Sequence, residues 1–311
     1  VARSGEGRGR PGRCGADRAD VALRRDIPKA ASGDRAGKIL LWEWGAKNPS
    51  STAITAHQGG VDSLSFSSDA SILASAGRDD LVKTWSTSNS ENLQTFKGHK
   101  NDVRGVVFAP DGKTIVISAH HGGQGSEIYL CDAQGGVPRL VSAHAPSWWH
   151  GWSPDGARLA YVAARGARVI DVYTIGVEGG AETRLTFGEG HCDGPDFSPD
   201  GRRIYYNCDR TGHAQIWVMN ADGSDQRKLF ADDHVNWFPH PSPDGRHLVY
   251  LAYPPGTLGH PEDLAVALVL CEPEGGNRHR IREFIGGRIE VAEARAHGRA
   301  IVALESTIIT H

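Results

Sequence analysis

A turn built on aspartate recurs five times along this chain at a nearly constant interval. Most copies read Pro-Asp-Gly, and the five aspartates are Asp69, Asp111, Asp155, Asp200 and Asp244. Successive aspartates lie 42, 44, 45 and 44 residues apart. A repeat of about 40 to 45 residues, each holding several short apolar runs separated by Gly, Asp and Pro turns, is typical of four-stranded sheets arranged radially around an axis. The sequence therefore predicts an all-β fold, a β-propeller.

A weaker copy of the unit precedes the first turn. The segment from Ala31 to Trp42 matches the segment from Ala74 to Trp85 at a distance of 43 residues. We therefore expect about six four-stranded blades, the first of them degenerate, in a ring that need not be complete.

Composition limits the classes of partner. The chain has 311 residues, 39% apolar content and a net charge of −3, which allow a large core and give no reason to expect a nucleic-acid partner. Neither a signal peptide nor a membrane span is visible in the sequence. Because the cysteines show no CxxC spacing, we expect mostly buried thiols in preference to a disulfide or metal framework. They are Cys14, Cys131, Cys192, Cys208 and Cys271.

The unit from His57 to Gly98 carries a recognisable set of polar residues and resembles the WD-repeat family. In that family a His, a Ser or Thr, an Asp and a Trp form a hydrogen-bonded relay inside the blade. The matching residues here are His57, Ser75, Asp79 and Trp85. The resemblance implies a structural role for these four residues. The first unit departs from the pattern, because Ala36 occupies the Asp position.

A second pattern begins after about residue 118. Tyr129, Tyr173 and Trp217 recur at intervals of 44, each followed by a Gly-containing turn and then by a basic residue and Leu. Together with the stretches 147–156 and 236–245, this pattern resembles the TolB family of propellers over residues 116–283. That resemblance implies a periplasmic protein with a protein partner. A WD-type protein, or a chain complete as given, would instead be cytoplasmic.

The last residues resemble a third family. The tail has helical character near 289–297 and strand character from Arg299, and its Ala-Leu-Glu-Ser-Thr segment resembles the start of pseudouridine-5'-phosphate glycosidases, with Glu305 at the position of an active-site glutamate. We therefore expect a short α/β-like tail, too short to be catalytic. The expected divisions are a disordered or degenerate Gly/Arg-rich segment over 1–30, WD-type blades over 31–120, TolB-like blades over 121–283, and the truncated glycosidase-like tail over 284–311.

Candidate binding residues stand just before the Pro-Asp-Gly turns. The strand that leads into each turn is the innermost strand of its blade, so its residues are expected at the mouth of the central channel. They are Trp148, Trp149, His150, Asp193, Asp196, Trp237 and His240. Three interpretations stay open: anchors for a protein or peptide, core packing with loop hydrogen bonds, or metal binding by the His and Asp side chains together with His191.

We predict a non-enzymatic scaffold that binds a protein or peptide at the channel mouth and needs no cofactor or metal. The sequence has no Gly-x-Ser-x-Gly or His-Glu-x-x-His motif. The alternatives are a truncated or fused glycosidase acting on pseudouridine 5'-phosphate, and a propeller hydrolase with a metal at the channel mouth.

Overall fold

In the described residues of the computed structural model, twenty-four strands form six four-stranded antiparallel sheets. The structure describes residues 18–24, 29–43, 50–98, 103–120, 125–142, 144–165, 169–261 and 264–285. Within these ranges every regular element is a β-strand. The strands of each sheet pair in chain order, so each sheet is a meander, as a propeller blade requires. The predicted all-β propeller is confirmed.

The first three blades contain twelve strands. Blade 1 comprises β1 (Arg18–Arg24), β2 (Lys29–Asp34), β3 (Lys38–Glu43) and β4 (Ser50–Thr55). Blade 2 comprises β5 (Val61–Phe66), β6 (Ile72–Gly77), β7 (Val82–Ser86) and β8 (Asn92–Phe96). Blade 3 comprises β9 (Val103–Phe108), β10 (Thr114–His120), β11 (Ser126–Asp132) and β12 (Arg139–Leu140).

The last three blades follow the same order. Blade 4 comprises β13 (Ser147–Trp152), β14 (Arg158–Ala164), β15 (Ile170–Gly176) and β16 (Thr183–Arg184). Blade 5 comprises β17 (Cys192–Phe197), β18 (Arg203–Cys208), β19 (Gln215–Asn220) and β20 (Arg227–Lys228). Blade 6 comprises β21 (Val235–Pro241), β22 (Leu248–Tyr253), β23 (Ala265–Cys271) and β24 (His279–Ile285).

The repeated aspartates close the hairpin between the first two strands of a blade. Asp155 accepts hydrogen bonds from the Ser153 hydroxyl at 2.5 Å and from the Ala157 backbone N–H at 3.0 Å. Gly156 then adopts a φ of +69°, which a residue without a Cβ takes most easily. Four of the five turns have a serine two residues before the aspartate, and in the fifth the Thr114 hydroxyl donates to Asp111 instead.

Apolar side chains fill the space between consecutive blades. Among the described residues, five buried clusters each join a blade to its neighbour. The pairs that represent them, from the first seam to the last, are Leu41 with Trp85, Ala76 with Val106, Val116 with Tyr161, Val162 with Tyr206, and Ile216 with Tyr250. The innermost strands also contact one another, β1 with β5, β5 with β9, β13 with β17, and β17 with β21.

Residues of the segment expected to be disordered or degenerate contribute to the first blade, and one expectation about the cysteines is wrong. Arg18–Arg24 form β1 and pair with Lys29–Asp34 of β2, which gives blade 1 four strands. The expectation of mostly buried thiols is wrong for Cys192 and Cys208, which form a disulfide. These two cysteines stand opposite each other on β17 and β18, with Cα atoms 4.1 Å apart. Cys131 and Cys271 are buried free thiols, as expected.

The proposed division points fall within blades. Residue 120 ends β10 in blade 3, and residue 284 lies in β24 of blade 6. Residues 1–17 and 286–311, which hold most of the Gly/Arg-rich segment and the expected α/β-like tail with Glu305, lie outside the described residues.

Candidate functional site

The four residues of the WD-type relay are hydrogen bonded in blade 2. His57 Nδ1 lies 2.7 Å from Asp79 Oδ1, and His57 Nε2 lies 2.8 Å from Ser75 Oγ. The Trp85 indole N–H donates to the same Ser75 oxygen at 2.9 Å. Asp79 Oδ2 accepts a further bond from the Gln58 backbone N–H at 3.0 Å.

The relay has the composition of a hydrolytic Ser-His-Asp triad but not its accessibility. Ser75 is 0% exposed and His57 is 4% exposed, and the Ser75 oxygen is already an acceptor for Trp85. A nucleophile must reach a substrate carbonyl, which a sealed hydroxyl cannot do. Burial lowers the pKa of His57, although the neighbouring Asp79 carboxylate acts in the opposite direction. The arrangement gives each of these buried polar atoms a hydrogen-bond partner.

Two predicted channel residues meet across the seam between blades 5 and 6. His240 Nδ1 lies 3.0 Å from Asp196 Oδ2, and each side chain is 25% exposed. The equivalent position in blade 4 is Gly151, where an added Cβ would come within 2.9 Å of Asp196 Oδ1. The small residue leaves room for the aspartate, so these three positions form one contiguous band on successive innermost strands.

The remaining predicted site residues differ in how far they are enclosed. Trp237 is 7% exposed and packs in the core of blade 6, and Asp193 is 1% exposed and accepts a bond from the Gly194 backbone N–H at 2.7 Å. Trp148 is partly buried against the cluster between blades 4 and 5. The side chains of Trp149 and His150 lie outside the described part of the structure, although both residues belong to β13.

The loop between β22 and β23 packs against Trp237. The ring of His260, in the connection between β22 and β23, lies 5.0 Å from the Trp237 ring and 5.1 Å from the Phe238 ring, in edge-on arrangements. Two residues earlier, Leu258 is 91% exposed. The loop therefore has one side chain packed on Trp237 and Phe238 and an apolar side chain exposed to solvent.

Three buried polar atoms lie at this end of the seam without a hydrogen-bond partner. They are Asn207 Nδ2, Asn236 Oδ1 and Trp237 Nε1. Sequence reasoning singled out Trp237 but missed the two asparagines. The available signal was Asn207 itself, a lone amide in the otherwise apolar second strand Ile204-Tyr-Tyr-Asn-Cys208.

The described residues contain no group of three or more His, Cys, Asp or Glu side chains placed to hold a metal ion. Of the candidates, His191 contributes its backbone N–H to Asp209 at 2.7 Å, and Asp196 pairs with His240. Within the described ranges there is also no helix with the length and apolar character needed to cross a bilayer.

Comparison with known proteins agrees with the two kinds of blade. Residues 141–259 match the profile of the TolB beta propeller domain, and residues 48–86 and 90–126 match the WD domain, G-beta repeat. The solved structure of a putative TolB from Agrobacterium tumefaciens superposes with a TM-score of 0.67, at 36% identity over 77% of this chain and 86% of that chain. TolB from Acinetobacter baumannii gives a TM-score of 0.56 at 19% identity, over 86% of this chain and 64% of that chain, which shows the fold alone.

Two curated proteins align with part of the chain. An uncharacterized protein of Agrobacterium fabrum strain C58, Atu1656, is 44% identical over 181 residues, which cover 58% of this chain and 61% of that protein. The uncharacterized peptidase YuxL of Bacillus subtilis strain 168 is 34% identical over 119 residues, which cover 36% of this chain and 18% of that protein. The chain thus spans about three fifths of the first relative and less than a fifth of the second.

The six meanders, the relay in blade 2 and the aspartate-closed turns define a β-propeller that combines WD-type and TolB-type blades. The chain belongs to the TolB-like β-propeller family.

Proposed function

We propose that this propeller binds a protein or peptide at the mouth formed by the starts of β17 and β21, without carrying out catalysis. The observation that carries the proposal is a pair of strongly exposed apolar side chains, Leu258 and Phe187, in the connections at that end of the innermost strands. A protein or peptide that covers such side chains removes their apolar surface from water and gains affinity.

Exposed apolar side chains flank the same end of the strands. Leu258 is 91% exposed, and Phe187, in the connection that leads into β17, is 67% exposed. Because β22 runs antiparallel to β21, the loop that follows β22 returns to the end at which β21 begins. Exposed apolar side chains in loops at one end of the blades suit a protein or peptide partner, which can cover them.

Absence of catalysis is part of the proposal. The hydrogen-bonded serine and histidine of blade 2 are sealed from solvent, and Cys192, at the start of β17, is held in a disulfide. One relative is named a peptidase, but the chain covers only 18% of it.

The test uses peptides selected from a random display library on the wild-type protein. We expect Leu258→Asp and Phe187→Asp each to weaken the selected peptide at least about tenfold, the loss typical of an interface anchor. Val137→Asp is the matched control, since Val137 is 92% exposed at the opposite end, in the turn between β11 and β12. If no peptide is selected, or if the three variants bind equally well, the proposed mouth is wrong.

A further inference from the structure

The outer edges of the six blades differ in how they are protected against pairing with a further strand. An edge strand directs alternate backbone N–H and C=O groups away from its sheet, and natural sheets protect such edges by short strands, bulges or charged side chains. Three of the outer strands, β12, β16 and β20, contain only two residues each. These three edges are too short to hold a partner strand.

Two longer outer strands, β8 and β24, are interrupted. The pairing of β8 with β7 shifts in register between Thr84 and Trp85, and the Asn92 side-chain nitrogen donates to the Thr84 carbonyl oxygen at 3.1 Å. The pairing of β24 with β23 shifts between Leu268 and Val269. The strand β24 also carries four charged or titratable side chains, which are His279, Arg280, Arg282 and Glu283. Both edges therefore have the usual protection.

The outer strand of blade 1 has none of these features. β4 (Ser50–Thr55) is six residues long, and its sequence Ser-Ser-Thr-Ala-Ile-Thr contains neither a charged residue nor a proline. It pairs with β3 over six consecutive residues without a register shift. Five of its six residues are exposed, and only Ile54 is buried, in the seam with blade 2. β4 is therefore a regular and accessible template for one more strand.

The sequence of β4 suits a second copy of the same strand. Two uncharged strands bring no like charges opposite each other. A two-fold axis perpendicular to the sheet keeps every side chain on its own face, so a residue can stand opposite only those with which it shares a face. One such register places Thr52 opposite Thr52 of the second copy, and Ser50 opposite Ile54. Threonine pairs across strands are favourable.

The charged residues of the neighbouring strand agree with this antiparallel arrangement. Glu43 and Lys38 are exposed and stand at opposite ends of β3, beside Ser50 and Thr55 of β4. In that register the Glu43 position of one copy lies about 15 Å from the Lys38 position of the other, whereas positions of like charge are about 20 Å or more apart, from ordinary strand spacing and rise. Opposite charges of the two copies are therefore nearer to each other than like charges.

We propose that β4 pairs antiparallel with β4 of a second copy of this chain, which joins the two first blades into one eight-stranded sheet. Pairing occupies the free edge of both strands, so association stops at the dimer. β4 is the outermost strand of blade 1, and the proposed mouth lies at the innermost strands of blades 5 and 6. Dimerisation is therefore a property separate from peptide binding.

The test places charges at Ala53, an exposed residue next to the centre of the paired segment. It stands opposite Ser51 of the second copy and diagonal to the second copy's Ala53, so two introduced lysines would repel each other. Sedimentation equilibrium of the wild type should show monomer and dimer only. Ala53→Lys and Ala53→Glu should each raise the dissociation constant at least about tenfold. An equimolar mixture of the two variants should dimerise again, because each lysine then faces a glutamate.

The matched control is Leu93→Lys, which adds the same charge to β8, the outer strand of blade 2, and should dimerise as the wild type does. Urea unfolding checks that each variant is folded. Thr52→Cys provides an independent measurement if a charged variant is not folded, because oxidation should link two copies covalently through adjacent thiols.

Two results would overturn the proposal. One is a wild type that remains monomeric at about 1 mM, where even a weak specific dimer forms. The other is a dimer that both Ala53 variants and Leu93→Lys leave unchanged, which would place the contact elsewhere on the molecule. Neither result bears on the selected peptides, whose binding is tested by Leu258→Asp and Phe187→Asp.

Discussion

The Trp42 indole donates a hydrogen bond to Ser32 Oγ at 3.2 Å. Trp85 makes the same bond to Ser75 at 2.9 Å, 43 residues further along the chain. Blade 1 therefore keeps the serine–tryptophan half of the relay, although Ala36 replaces the aspartate that holds the histidine in blade 2. The degenerate first unit is thus a blade built on the same internal bond.

This pair of bonds predicts unequal costs for the same substitution. Ser75→Ala leaves both His57 Nε2 and the Trp85 indole without their buried partner, and we expect a loss of about 2 to 4 kcal/mol in the free energy of unfolding. Ser32→Ala removes one bond and should cost about 1 kcal/mol. Urea unfolding of the two variants checks the difference, and equal losses would show that the histidine bond adds nothing.

The relay also predicts a pH dependence. Burial holds the pKa of His57 below its usual 6.5, so below that pH the unfolded chain binds a proton that the folded protein does not. The free energy of unfolding should therefore fall as the pH drops below 6.5. The hydrogen bonds from Gln58 and His57 outweigh burial and lower the pKa of Asp79 from 3.8, which adds a further loss in stronger acid.

The matched variant for this effect is His57→Gln. This substitution removes the titrating group and leaves the other histidines unchanged. The free energy of unfolding of the variant should therefore depend less steeply on pH between 7 and 5 than that of the wild type. Parallel pH profiles of the two proteins would contradict the assignment.

The disulfide between Cys192 and Cys208 predicts a loss of stability when both cysteines are replaced. It closes a loop across 16 residues of sequence, and replacing both cysteines by Ala should lower the free energy of unfolding by about 3 kcal/mol. Cys131→Ala, which removes a buried free thiol, is the control and should cost less. Mass measurement before and after reduction and alkylation would reveal the bond directly. Two alkylated residues at 192 and 208 without prior reduction would rule it out.

The Asp196–His240 pair predicts a small coupling. Both side chains are a quarter exposed, so solvent screens the pair, and a double-mutant cycle with Asp196→Ala and His240→Ala should give about 0.2 to 1 kcal/mol at pH 6. Guanidinium unfolding of the two single variants and the double variant provides the measurement. A coupling of several kcal/mol would mean that the pair is more enclosed than its exposure indicates.

The sequence predicted the blades because turn chemistry is local. Asp155 and Gly156 specify a hairpin wherever they occur, and their regular spacing specifies the number of meanders. The disulfide could not be predicted in this way, because it depends on which residues of β17 and β18 stand opposite each other. The register of that pair shifts between Asp193 and Asp196, and the spacing of the repeated turns does not reveal the shift. The contact between His260 and Trp237 could not be predicted either, because it depends on the path of the long loop between β22 and β23, and no short-range sequence pattern determines that path.

The separate apolar seams also explain how two repeat types share one ring. At the boundary between the WD-type and TolB-type halves, Val116 and Leu130 of blade 3 pack against Tyr161 and Tyr173 of blade 4. Packing of this kind requires only that the side chains on the two facing sheets have complementary volumes, and it does not require that the two blades share a sequence pattern. Meanders of two sequence types can therefore stand side by side in one propeller, because their compatibility is decided at the facing surfaces and not within either blade.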